Sequence, residues 1–320
     1  MAKTLQEYAE WLDERDDLIW PLPPEPAAPK ATPYLKPLEG IRLVLWDVYG
    51  TLLHIADGEL LHVHPQEIRM QIALEKTIEE FNMWNSMTRK PGAPWEYMLQ
   101  LYKHAVENLS MAATKRAGDA PHIGSARVWK QILNKLLQRE YRYDVGVFGD
   151  LDQYTEKIAY FFHASLQGCA AMPHVNAALQ ALSDGGVRQG LLADAQPFTL
   201  VQILRATRRQ GTLPPLAKLF SAETSTLSCL EGIRKPSPSF FKTALEKAER
   251  LGIAAQQILY IGARLRDDLQ IAKQLGLQTA LFAGEETSLR ASPADMKDPN
   301  VKPHRLLTDL QQIRQLLSIG

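Results

Sequence analysis

The chain is predicted to be an α/β protein: a three-layer core built on a parallel sheet, with an all-helical cap domain inserted into it. Three observations lead there. Short apolar runs alternate with amphipathic helical patterns over 41–56 and 170–320, as expected for parallel strands covered on both faces. Between them, about 65–168 carries helical periodicity alone, which marks a separate helical unit over 57–169. The chain has 320 residues, room for roughly two domains of about 150 residues each.

Taken in order, residues 3–17 read as a short helix with Leu5, Tyr8 and Leu12 on one stripe. Seven of the 20 prolines then fall between Pro21 and Pro37. Proline fixes φ and lacks an amide donor, so 1–40 is a helix followed by an extended arm laid on the body. Ile41 to Trp46 is a buried strand ending at Asp47. Helices follow at Leu74, Ile78 and Phe81, then at Met98, Leu101, Tyr102, Ala105 and Leu109. A third carries Val128, Ile132 and Leu136, with Ser125 as its N-cap, and a fourth carries Ile158 and Phe162. Trp84, Trp95 and Trp129 are expected in the core of this block.

After Pro173 strands and helices alternate. Val175–Leu182 is helical and stops at Gly185-Gly186. Gln189–Ala193 is a strand, Phe198–Arg208 a helix, Leu219–Ala222 a strand, and Pro238–Leu251 a helix ended by Gly252. Ile258–Ile261 is a strand, Asp268–Leu275 a helix, Gln278–Phe282 a strand, and Leu307, Leu310, Ile313 and Leu317 line a closing helix. In such sheets the chemistry sits beyond the carboxyl ends of the strands. That rule points to Asp47, Asp194 and the loops after Ala222 and Ile261.

Charge and composition exclude several classes. Lys plus Arg equals Asp plus Glu at 36 each, so nothing global marks a nucleic-acid or anionic-membrane partner. No apolar run nears the roughly 18 residues that span a bilayer. The polar, acidic N-terminus matches neither a secretory signal nor a transit peptide. Cys169 and Cys229 stand far apart, outside metal spacing, which fits a reduced, cytoplasmic setting. The expected partner is a small-molecule substrate.

Four motifs stand in chain order: Asp47-Val-Tyr-Gly-Thr51, Ala193-Asp194, Lys235-Pro-Ser-Pro238 and Gly262-Ala-Arg-Leu-Arg-Asp-Asp268. Together they resemble the haloacid dehalogenase superfamily over nearly all of 41–318. The resemblance implies a Rossmann-like core with a helical cap of that family's first type, and hydrolysis through an aspartate nucleophile. Independently of it, a carboxylate at a strand end can attack carbon or phosphorus and form a covalent intermediate. Asp47 is so placed, Gly50 permits the turn behind it, and Lys235 neutralises charge between nucleophile and substrate. Asp47, Lys235 and Asp268 are the catalytic candidates. Tyr49, Thr51, Asp194 and Arg264 are the substrate-binding candidates.

The departures narrow the chemistry. Family phosphatases carry a second Asp where Tyr49 stands, a Ser or Thr where Ala193 stands, and a Mg²⁺-holding Asp where Ala263 stands. Loss of a general acid alone costs about 10²–10⁴-fold. Asp47 and Asp268 remain as carboxylates for Mg²⁺, a pair expected to bind it poorly, and Arg264 and Arg266 bring positive charge to its place. The Asp-x-Tyr-Gly-Thr form resembles the dehalogenase branch, whose displacement at carbon needs no metal, with Asp268 positioning water. That branch expects Ser at 193 and 263, Asn at 265 and Tyr at 241, where this chain has Ala193, Ala263, Leu265 and Phe241. The expected function is therefore a hydrolase-like protein with an altered site. An atypical or weak phosphatase is one alternative, and a non-catalytic binding or regulatory protein on the same fold is another. His62 and His64 are expected at the surface of the linker into the cap, and Glu223 and Glu231 as solvated loop residues.

Overall fold

The computed structural model describes residues 2–23, 25–84, 92–139 and 141–319; Pro24 of the arm lies outside them. Six strands form the main sheet: β1 (Leu43–Trp46), β2 (Arg188–Ala193), β3 (Thr226–Leu227), β4 (Ile258–Gly262), β5 (Gln278–Phe282) and β6 (Arg305–Leu307). Their order is β6-β5-β4-β1-β2-β3, and every pairing is parallel. Trp46 lies opposite both Leu191 and Ile261. β1 is thus central, and the strand order reverses around it. Loops leaving β1, β2 and β4 converge there, which makes that edge the natural crevice.

The twofold alternation of a strand divides the core between the two faces. Val44, Trp46, Leu191, Leu259 and Ile261 pack on one side. Leu43, Leu45, Leu192, Ile258 and Tyr260 pack on the other, against Phe240 and Phe241. β1 is apolar along its whole length because both of its faces are covered. The cap helices, Glu67–Glu80, Pro94–Ser110, Ser125–Leu137 and Leu151–Leu166, form a third apolar cluster around Tyr102, Trp129, Phe161 and Phe162. Among the described residues none of 65–168 joins the main sheet. One short strand does occur in that block: Ala120–Pro121 pairs antiparallel with Ile233–Arg234.

The first helix, α1 (Leu5–Asp13), starts with a capping box between Thr4 and Glu7. It buries Tyr8, Ala9 and Leu12 in the cap cluster. The arm lies on the body. Trp20 meets Phe161 edge-on with centroids 5.3 Å apart, and the Tyr34 amide donates to Leu306 O at 2.9 Å. That bridge covers the outer edge of β6, a strand edge otherwise open to pairing.

Several local expectations fail. Leu219 closes a helical turn, Leu216–Leu219, and the strand comes later, at Thr226–Leu227. Pro214 and Pro215 start the turn, and Leu219 and Phe220 are buried from it rather than from a strand. Leu307 ends β6 instead of opening the last helix, which runs Ile313–Leu317 after a 3₁₀ turn. Leu265–Leu269 is a π turn ahead of the helix Gln270–Gln274. Gly124, not Ser125, takes the N-cap position. Trp84 is 51% exposed, outside the core. No described helix is long and apolar enough to cross a membrane.

Candidate active site

Asp47 follows β1 at the centre of the crevice and is buried. Its amide donates to Ile261 O at 2.9 Å, so the neighbouring strand sets where it emerges. The chain then turns back sharply, with the amides of Leu52 and Leu53 donating to Val48 O. Gly50 allows this: its φ is +82°, and an added Cβ would lie 2.5 Å from Ser288 Cβ. Asp47 Oδ1 accepts from the Val48 amide at 2.9 Å, and Oδ2 is 2.8 Å from Lys235 Nζ.

Lys235 is the hub. Its ammonium also lies 3.0 Å from Asp268 Oδ2 and donates to Tyr260 Oη at 3.3 Å. Its amide donates to Asp194 Oδ1 at 3.0 Å. Burial lowers the ammonium's hold on its proton, but Asp268, Asp47 and Asp194 outweigh that and keep it above the ordinary lysine range. Asp268 is fully buried, with Oδ1 unpartnered. Burial raises its carboxyl to about 7, against the pull of Lys235. Asp194 is raised as well, again mainly by burial.

A cavity of about 260 Å³ opens over Asp47. Asp47, Tyr49, Asp194, Lys235 and Arg264 line it, so five of the seven candidates meet at one site. Asp268 does not line it; it is fully buried and stands behind Lys235, which holds its Oδ2. Thr51 is fully buried with an unpartnered hydroxyl and also lies off the cavity. Tyr49 presents only part of its ring, since its hydroxyl bonds Thr199 at 2.8 Å and Gln202 at 2.6 Å. Arg264 pairs with Glu59 at 3.0 Å, and the carboxylates of Asp268, Asp47 and Glu59 hold its proton firmly. Arg266 points elsewhere and binds Asp295.

The family resemblance implies Mg²⁺, and the residues present do not fit it. Lys235 Nζ sits between the two carboxylates that would bind the ion, Arg264 adds a second cation, and Ala263 offers no side-chain oxygen. Mg²⁺ requires near-octahedral oxygen coordination. Among the described residues no group of three or more His, Cys, Asp or Glu side chains could hold a metal.

The sequence reading missed part of the wall. His62, expected at the surface, lines the cavity, and burial pushes its imidazole down to about 3. His64 is buried too, 3.2 Å from Asp57. His122, Gln196, Ser228 and Arg234 complete the lining. Arg234 was legible by adjacency to Lys235. His122 carried no local signal, because the pairing of Ala120 with Arg234 brings it in from the cap.

A haloacid dehalogenase-like hydrolase family model matches residues 41–276. Over 112 residues the chain is 31% identical to the glyceraldehyde 3-phosphate phosphatase of Pyrococcus abyssi. That stretch spans 42% of the relative's length and 35% of this chain. A 2-haloacid dehalogenase structure from Pseudomonas syringae pv. tomato DC3000 superposes with a TM-score of 0.52 at 19% identity, covering 87% of this chain and 98% of that one. An L-2-haloacid dehalogenase from Xanthobacter autotrophicus gives 0.42 at 17% identity, covering 86% and 98%. With the family model spanning most of the chain, and the sheet, cap and crevice arranged as its motifs imply, the protein belongs to the haloacid dehalogenase-like hydrolases.

Proposed function

We propose that the protein is a metal-independent hydrolase that displaces a leaving group from carbon in a small anionic substrate, with Asp47 as the nucleophile. The observation that carries this is the Lys235 ammonium, bonded at once to Asp47 Oδ2 and Asp268 Oδ2. Its fixed positive charge already neutralises the two carboxylates that would otherwise hold Mg²⁺ for transfer of a phosphoryl group. Displacement at carbon needs a desolvated carboxylate and a held leaving group instead, and Asp47 is buried. Each Asp47 oxygen carries one donor, the Val48 amide or Lys235. Whichever oxygen attacks, the other keeps a donor when the ester carbonyl later takes on negative charge, as in an oxyanion hole.

The cavity, at about 260 Å³, lies just below the usual range of ligand sites, roughly 300–1,000 Å³, which favours a substrate of few atoms. Arg264 and Lys235 have carboxylate partners. Among the described residues Arg234 has none, so it is the cation free to take the substrate's acid group.

Turnover of 2-haloacids and of phosphomonoesters, each with Mg²⁺ and with a chelator, tests the reading. The expected result is 2-haloacid turnover indifferent to chelator and reduced by several orders of magnitude in Asp47→Asn. The stretch similar to a phosphatase supports a second reading. Phosphomonoester turnover that depends on Mg²⁺ would establish that one, and an inert wild type across the panel would favour a non-catalytic role.

A further inference from the structure

Resting on the Asp47 reading, we propose that His122 is a catalytic residue whose Nε2 accepts the proton of the water that hydrolyses the Asp47 ester. The fold holds this cap residue over the core site. Ala120–Pro121 pairs with Ile233–Arg234, immediately before Lys235. The His122 amide donates to Gly232 O at 3.0 Å, and the Ala120 amide to Ser237 Oγ at 2.7 Å. The imidazole is 8% exposed and lines the same cavity as Asp47.

Its hydrogen bonds decide the tautomer. Ser228 Oγ accepts from the Ala195 amide at 2.9 Å, lies 3.2 Å from Ala195 O, and is 3.0 Å from His122 Nδ1. If Nδ1 carries the proton, all three bonds form: Ala195 N–H and Nδ1–H donate to Oγ, and Oγ–H donates to Ala195 O. The other tautomer makes one bond fewer. Nε2 is then left with its lone pair, buried and without a partner. An unpaired buried acceptor is costly unless something comes to it, and a substrate water can. Burial keeps the ring neutral, with its pKa lowered to about 4. Arg127 and Arg234 add to that depression, and an anion seated against Arg234 relieves part of it.

The other groups around the cavity suit the role less. The Tyr49 hydroxyl is committed to Thr199 and Gln202, and Asp268 lies behind Lys235. Asp194 already takes the Lys235 amide on Oδ1. Both nitrogens of His62 have polar neighbours, Ser125 Oγ at 3.4 Å and Gln196 Nε2 at 3.5 Å.

The steps balance. An Asp47 oxygen bonds the substrate carbon as the carbon–leaving-group bond breaks and the leaving group departs as an anion. Water oxygen then bonds Asp47 Cγ while one proton passes to Nε2. Collapse of the adduct breaks the bond between Cγ and the alkoxide oxygen, and the alkoxide takes the proton back from the imidazolium. The second water proton leaves the regenerated carboxylic acid for solvent.

Racemic 2-bromopropionate serves as the probe. Wild type, His122→Asn, His122→Gln and Asp47→Asn are mixed with it, quenched in acid at intervals, and the peptide containing residue 47 is weighed. Asn places an amide near the Nδ1 position and spares the Ser228 contact, while Gln places one near Nε2; neither is a base. In both His122 variants the Asp47 ester is expected to accumulate and decay roughly 100-fold or more slowly than in wild type. Decay at the wild-type rate in both would overturn the role of His122 and leave the nucleophile standing. A residue-47 peptide unmodified in every protein would overturn the reading beneath it.

Discussion

The side chains at the crevice divide into those whose charge is already answered and one whose charge is not. Arg234 is the unanswered one, and removing it should mainly weaken binding. Arg234→Leu is expected to raise KM for an acid substrate by roughly 10- to 100-fold, the loss of one charged hydrogen bond at about 1.5–3 kcal/mol, with kcat nearly unchanged. Steady-state kinetics on a 2-haloacid checks this, and a fall confined to kcat would contradict it. Asp268 leaves a different mark. The unfolded chain releases this proton near 3.8, and the folded chain keeps it to about 7. Across that window the folded state binds the extra proton, so this group removes stability as pH rises from about 4 to about 7 and adds no slope above. Lys235 stays charged throughout and adds none. Between pH 5 and 7 the urea midpoint of Asp268→Asn should therefore rise more, or fall less, than that of wild type. Equal differences would show that Asp268 ionises normally.

Among the elements, α1 and the arm tie the cap to the core. α1 buries Leu12 against the cap, and its Asp13 and Glu10 pair with Arg205 and Arg208 on the core helix Thr199–Arg208. Leu12→Ala is expected to cost about 2–5 kcal/mol, as for other fully buried leucines, read as a lowered unfolding midpoint. A change under about 1 kcal/mol would mean that α1 is not part of the folded unit. The elements legible from sequence were those whose pattern and punctuation agreed. Leu43–Trp46 is apolar on both faces and ends at the Asp-x-x-Gly-Thr turn, and Pro238–Arg250 begins at proline and ends before Gly252. Two strands of the main sheet escaped for physical reasons. β3 has only two residues and lies beyond an apolar run that Pro214 and Pro215 turn into a helical turn. β6 owes its strand to β5 on one side and Tyr34 on the other, and no periodicity within three residues could show that.

For the whole molecule, the four motifs were enough to name the crevice, because loops leaving parallel strands converge where the strand order reverses. They could not show what the cap brings. His62 and His122 reach the cavity through tertiary pairing that no local spacing encodes. Nor could the motifs show that Asp268 would stand behind Lys235, a matter of depth and not of order along the chain. The central claim is covalent displacement at carbon by Asp47 without metal. The most direct measurement is a single turnover in ¹⁸O water, with enzyme in excess over a 2-haloacid and chelator present, followed by mass analysis of product and of the Asp47 peptide. The account predicts ¹⁸O in the Asp47 carboxylate and an unlabelled hydroxyl in the product. Label in the product hydroxyl alone, with Asp47 unlabelled, would contradict it.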